Sequence, residues 1–285
     1  MPDGAVYEAG WTLDQIPWSL FDASKINTTL LAAVKAASLV EYNAPDYVRY
    51  LTTIYRDQPE HVRRNIERWG GEEVQHGLAL GRWAELADPG FNFQAAFARF
   101  HKLYRAPHFE RAQSSVRGSR RGEMIARCVV ESGTSSLYSA LRDGSDEPVL
   151  KQIAARIAGD EFRHYRMFYD IMRGDKEPDL PRWRKFLIAV GRVNESTDDE
   201  LACAFYCANV PESDSARLPY RRRYYAQKYR NTIMSFYRRH HVEKLVKMVV
   251  MPAGIDPSGR LVGLAGGIVW RLLTWRVRGM ALQRG

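Results

Sequence analysis

Acidic residues are in short supply in this chain: 33 Asp and Glu stand against 42 Lys and Arg, a net charge of +9. A basic surface attracts acidic partners by long-range steering, whether nucleic acid, an anionic membrane or a small acidic carrier protein. Cysteine is scarce too. Cys128, Cys203 and Cys207 are an odd count, which excludes a disulfide framework and fits a reducing compartment. Cys203 and Cys207 lie four apart in an apolar stretch and read as two small buried hydrophobes on one helical face. No long hydrophobic run occurs. The most membrane-like stretch, 261–275, is interrupted by Arg271 and is shorter than the roughly 20 apolar residues a span needs. Residues 1–19 carry early acids and no positively charged lead, unlike a signal peptide, so a cytoplasmic location is expected. Sustained alternation of Val, Ile and Thr is missing, which argues against a sheet.

What is present is helical. Hydrophobic residues make up 45% and aromatics 12%, enough for a sizeable core in 285 residues. Pro, Gly and Asp clusters divide the chain into predicted helices at 24–57, 59–87, 118–142, 146–173 and 216–250, with shorter ones at 91–103, 180–192, 198–209 and 260–280. Pro45 is placed to kink or break the first of them. The expected fold class is all-α.

One long internal echo carries chemistry. Glu41 is followed 32 residues later (73 − 41) by Glu73 within Glu-Val-Gln-His76, and Glu131 is followed 30 residues later (161 − 131) by Glu161 within Glu-Phe-Arg-His164. Residues three apart on a helix share a face, so each motif projects a carboxylate and an imidazole together. The faces are otherwise apolar: Val62, Ile66 and Trp69 lead to Glu73 and His76, then Leu80 and Trp83. Ile153 and Ile157 lead to Glu161 and His164, then Phe168. Carboxylates pointed at a core are costly unless neutralised. Two divalent cations would balance four Glu, with two neutral His completing the shell. This is the donor pattern of a four-helix bundle holding two metals, and mixed oxygen and imidazole ligation suits iron, manganese or a mixed pair. A single Glu-x-x-His arises often by chance; two on apolar faces, each preceded by a Glu at similar spacing, are far harder to obtain that way. Asp160 and Glu72 are candidates to hold the second nitrogens of the two histidines. His61, His101, His108, His240 and His241 lack such a pattern and read as surface or packing histidines.

At these residues the chain resembles the ferritin-like di-iron carboxylate proteins, and among them the soluble acyl-ACP desaturases. Trp69-Gly-Gly-Glu-Glu-Val-Gln-His76-Gly77 is similar to that family's Trp-x-x-x-Glu-x-x-His-Gly, with Glu72 matching its doubled acid. Glu131-Ser-Gly-Thr134 resembles its Glu-x-x-Thr, and Asp160-Glu161-Phe-Arg-His164 its Asp-Glu-x-x-His. The likeness covers roughly residues 40–172 and fades beyond Asp175.

The resemblance implies a ferritin-like bundle over 1–175 with metal ligands Glu41, Glu73, His76, Glu131, Glu161 and His164. It implies two iron ions, O2 as co-substrate and an acyl chain presented by acyl carrier protein, with a ferredoxin-type electron donor and a homodimer. It places Thr134 beside bound O2, assisting proton delivery, and gives Trp69 a possible electron-relay role; the bland alternatives are a back-bonded helix hydroxyl and a core aromatic. Residues 176–285 are expected to form a basic, aromatic-rich helical extension on the bundle. In 216–250 an aromatic stripe (Tyr220, Tyr224, Tyr225, Tyr229, Phe236, Tyr237) would cover the bundle while a basic stripe (Arg221, Arg222, Lys228, Arg238) docks an acidic partner. The last segment could instead rest on a membrane surface through Trp270, Leu272, Leu273 and Trp275. Other readings stay open at this point: a di-metal hydroxylase or N-oxygenase of another small molecule, and an iron-handling protein, which the basic second half disfavours. Charge is the sole support for nucleic acid, which is not expected as a partner.

Overall fold

The structure, a computed structural model, describes residues 10–104, 113–195 and 199–281, and among them are eleven α-helices and no strand. Local chemistry sets the boundaries. Asn27 caps α1 (Thr28–Tyr42), its side chain accepting the N–H groups of Thr29 and Leu30. The predicted helix 24–57 is broken at Asn43, because Pro45 lacks an N–H and sits in the first turn of α2 (Ala44–Ile54), where none is needed. Next come α3 (Glu60–Ala87), α4 (Phe93–Leu103) and α5 (Arg120–Gly144). Glu147 starts α6 (Pro148–Gly174) by accepting from the N–H groups of Val149 and Leu150, with Pro148 leading the first turn.

α5 and α6, joined by a short turn, pack along their length, and α1 packs against α3. The second pair runs antiparallel: Tyr42 meets Gly77 and Lys35 pairs with Asp88, and α2 continues the contact where Val48 meets Gly70. α3 closes on α6 and joins the two pairs. The heptad-like spacing read along α3 is its buried stripe, with Val62, Ile66, Trp69, Glu73, His76, Leu80 and Trp83 all buried. Gly77 sets the approach of α1. A Cβ there would lie 2.7 Å from the Tyr42 nitrogen and 2.9 Å from the Ser38 carbonyl oxygen, so only glycine lets the backbones close to this distance.

The second half packs over the first. α7 (Arg182–Asn194) lies on α5, α8 (Asp199–Asn209) on α1 and α4, and α9 (Arg222–Met234) on α8. α10 (Arg239–Val250) lies on α5, and α11 (Arg260–Ala281) packs on α10. The predicted single helix over 216–250 is in fact α9 and α10. Ser235 turns its hydroxyl back to the Thr232 carbonyl, and His241 Nδ1 accepts the Arg238 N–H at 3.0 Å, so local side-chain bonds end one helix and begin another. The expected division of faces holds only in part: Tyr225 and Tyr229 are buried against Tyr206 and Phe205 of α8, but Tyr224 is exposed beside Arg221, Arg222, Arg223 and Lys228. No helix among the described residues is long and apolar enough to cross a membrane.

Candidate metal centre

All six side chains predicted as ligands converge between α1, α3, α5 and α6, and all six are buried. They form two overlapping groups. Glu41, Glu73, His76 and Glu161 can each offer an atom within 4.8 Å of the others, and so can Glu73, Glu131, Glu161 and His164. Glu73 and Glu161 belong to both groups, Glu41 with His76 serves one end, and Glu131 with His164 the other. The imidazole centroids are 5.8 Å apart.

The orientation of the rings is fixed from behind. His76 Nε2 donates to Asp160 Oδ2 at 2.9 Å, and His164 Nε2 to Glu72 Oε2 at 2.7 Å. Each Nδ1 therefore faces inward: His76 Nδ1 is 3.3 Å from Glu161 Oε1 and 3.6 Å from Glu73 Oε2, and His164 Nδ1 is 3.1 Å from Glu73 Oε1 and 3.6 Å from Glu131 Oε2. Asp160 and Glu72 thus stand where the sequence placed them. Arg163 lies between them, 2.5 Å from Asp160 and 3.8 Å from Glu72, and Arg68 reaches Glu72 at 3.3 Å.

The chemistry of the donor atoms suits metal binding. His76 Nδ1, His164 Nδ1, Glu131 Oε2 and Glu161 Oε1 are buried and have no hydrogen-bond partner. Buried polar atoms are nearly always paired, and here four unpaired ones are donor atoms facing a common centre. The electrostatics agree. Burial, then the charge of Glu73, pushes the Glu41 carboxyl well above its ordinary range. Burial raises Glu131 in the same way, against the pull of the nearby His164 ring. Burial alone would also raise Glu73, but the adjoining Glu41 carboxyl and the nearby His164 and His76 rings outweigh it and hold Glu73 well below its usual value. Burial disfavours charge on both rings, yet the hydrogen bond with Asp160 and the nearby Glu161 and Glu73 carboxylates lift His76, and the nearby Glu131 carboxylate, the hydrogen bond with Glu72 and the nearby Glu73 lift His164. Without cations, these groups coexist by sharing protons; carboxylates and imidazoles this concentrated also suit two divalent metals.

Thr134 Oγ1 donates to Glu161 Oε2 at 2.5 Å and also contacts the carbonyl oxygens of Val130 and Glu131. The hydroxyl thus lies against its own helix's carbonyl oxygens and gives its one proton to a carboxylate of the cluster. Trp69 does not reach either histidine's outer nitrogen. Its ring packs edge-on against Phe168 at 5.3 Å, and its Nε1 is buried without a partner. It lines a very small pocket with Asn65, Arg68, Glu72, Arg163, His164 and Met167.

Two residues of the site escaped the sequence reading. Tyr138, fully buried, donates its phenol to Glu41 Oε1. It lies seven residues, two turns, beyond Glu131, so the helical period carried a signal. Trp11 donates Nε1 to Asp160 Oδ2 at 2.8 Å and stacks on His76 at 6.0 Å between centroids. It is 149 residues from Asp160 in sequence, and no local periodicity could link them.

The histidines read as surface or packing residues divide. His101 stacks on Phe97; His108 lies outside the described residues. His241 is buried and meets Asp143 Oδ2 at 3.0 Å, with His240 at 3.3 Å, a third acid–histidine group. Because His241 Nδ1 already accepts a backbone N–H, its Nε2 carries the proton donated to Asp143. That arrangement serves as a helix cap, not a ligand set. Neither a scan of protein-family models nor a search of curated proteins finds a match for this chain.

Proposed function

We propose that the chain is a ferritin-like dinuclear metal oxidoreductase that uses O2 to oxidise an acyl-type apolar substrate, with iron as the preferred metal. The observation that carries this reading is the set of four unpaired donor atoms, two imidazole nitrogens and two carboxylate oxygens, turned into one buried centre. The resemblance to acyl-ACP desaturases supports the substrate class. A bound di-iron pair supplies an oxidant strong enough to take hydrogen from an unactivated C–H bond.

The chain's own residues provide the setting. Glu73 and Glu161, common to both groups, would help hold both metals, with Glu41 and His76 completing one group and Glu131 and His164 the other. Asp160 and Glu72 hold the rings so that Nδ1 faces inward. Tyr138 fixes one oxygen of Glu41. Thr134 holds a hydroxyl proton on Glu161 at the half-buried edge of the centre, where a proton can be handed inward. The cluster is buried, as are Ile66, Ile157 and Phe168 one or two turns away on its own helices, and burial keeps bulk water from the ligand atoms. The exposed cations of α9 offer a docking surface for an acidic carrier.

The test is metal analysis followed by aerobic turnover with a reducing partner and acyl carrier protein thioesters, read by mass spectrometry. Two irons per chain and a product short of two hydrogens are expected. Gain of one oxygen instead would replace desaturation by hydroxylation, and a protein that binds no metal would end the proposal.

A further inference from the structure

We infer that α11 is an interfacial anchor whose exposed apolar face lies on an anionic lipid surface. Leu261, Leu264, Ile268, Leu272 and Trp275 are each more than half exposed. At 100° per residue they fall within an arc of about 80°, so they form one stripe along the helix. The opposite side is the one held by the protein: Val262 is buried, and Gly266 brings the helix against Glu243 of α10. Trp270 and Leu273, which the sequence reading included in this surface, are half-buried and turn away from the stripe.

Charge decides what covers it. α11 has no acidic residue in its 22 positions, and Arg260 and Arg271 are exposed along one border of the stripe. α7 repeats the chemistry. It also packs on α10, exposes Trp183, Phe186, Leu187, Val190 and Val193, and carries four cations and no acid. A second copy pairing through α11 would bring arginines together on helices that carry no acid of their own. An acidic globular partner would match the cations but not so long an apolar stripe. A lipid surface matches both: acyl chains take Leu, Ile and Trp, and anionic headgroups take the arginines. The helix is not a membrane span, so it lies in the interface plane. Nothing in this inference depends on the metal centre.

The experiment is co-sedimentation of the full chain with phosphatidylcholine vesicles, with and without phosphatidylglycerol, at low and high salt, alongside sedimentation velocity without lipid. Binding about thirtyfold tighter to the anionic vesicles is expected, the gain two arginines give near such a surface, and it should fall with salt. Ile268→Glu combined with Leu272→Glu should abolish binding while helix content and metal content stay unchanged, and Arg271→Glu should remove the anionic preference. A wild-type chain that ignores both vesicles overturns the inference. So does a double variant that binds as well as wild type, or a lipid-free dimer that the same double substitution converts to monomer.

Discussion

Replacing Asp160 should loosen the metal position at His76 and leave the one at His164 nearly intact. The carboxylate accepts three donors: Trp11 Nε1 at 2.8 Å and His76 Nε2 at 2.9 Å both on Oδ2, and Arg163 Nη1 at 2.5 Å on Oδ1. An asparagine can place its single oxygen where Oδ2 was and keep the first two bonds. Its amide nitrogen then faces Arg163, donor against donor, and the negative charge behind the imidazole is gone. Asp160→Ala loses all three bonds and frees the ring to turn. Removing such a support costs about 10- to 100-fold in metal affinity, or about 1.4 to 2.7 kcal/mol. The amide belongs at the low end of that range and the alanine at the high end. Competition with a chromogenic chelator, followed as two successive binding steps, reads this directly. Glu72→Gln should weaken the other step, because Glu72 serves His164 alone of the two rings. Asp143→Asn, in the remote histidine cluster, should change neither. Equal affinity in Asp160→Ala and wild type, or equal weakening of both steps by each variant, would refute the assignment of one acid to each metal position.

Three further outcomes follow from the same coordinates. Gly77→Ala drives a Cβ into the α1 backbone at Tyr42 and Ser38; urea unfolding should show a loss of about 1–3 kcal/mol from overpacking, with less metal bound as Glu41 moves away. Tyr138→Phe leaves Glu41 Oε1 without its buried donor and should lower unfolding free energy by about 1–3 kcal/mol, with helix content unchanged by circular dichroism. Asp175 accepts Arg120 at 2.8 and 3.0 Å and the Glu177 N–H at 2.8 Å, and these bonds hold its carboxyl below the ordinary range although burial opposes them. Its folded value is depressed, so its contribution is complete above the unfolded value of about 3.9 and fades as pH falls through the folded one. Asp175→Asn should therefore flatten the acid limb of a stability–pH curve below about pH 4.

The buried cluster of carboxylates and histidines was legible because helical geometry needs only short-range information. Spacings of three and four place Glu73, His76, Glu161 and His164 among apolar residues, and an apolar stripe can go nowhere but inward. The all-helical architecture follows from the same periodicity. The division of labour within the site was less accessible. That Glu73 and Glu161 serve both groups depends on how far each helix rolls and how closely α1 approaches α3, and that distance is set by Gly77, which the sequence presented only as part of a familiar motif. Contacts that join distant segments, such as Trp11 with Asp160, leave no trace in local spacing. The break at 235–238 was hidden for the opposite reason: it is decided within four residues by a histidine side chain that turns back to cap the next helix, while the amphipathic pattern runs on through it. Periodicity reports which face is buried. It is silent about where a side chain competes with the backbone for a hydrogen bond, and about which charges end up nearest one another once faces have met.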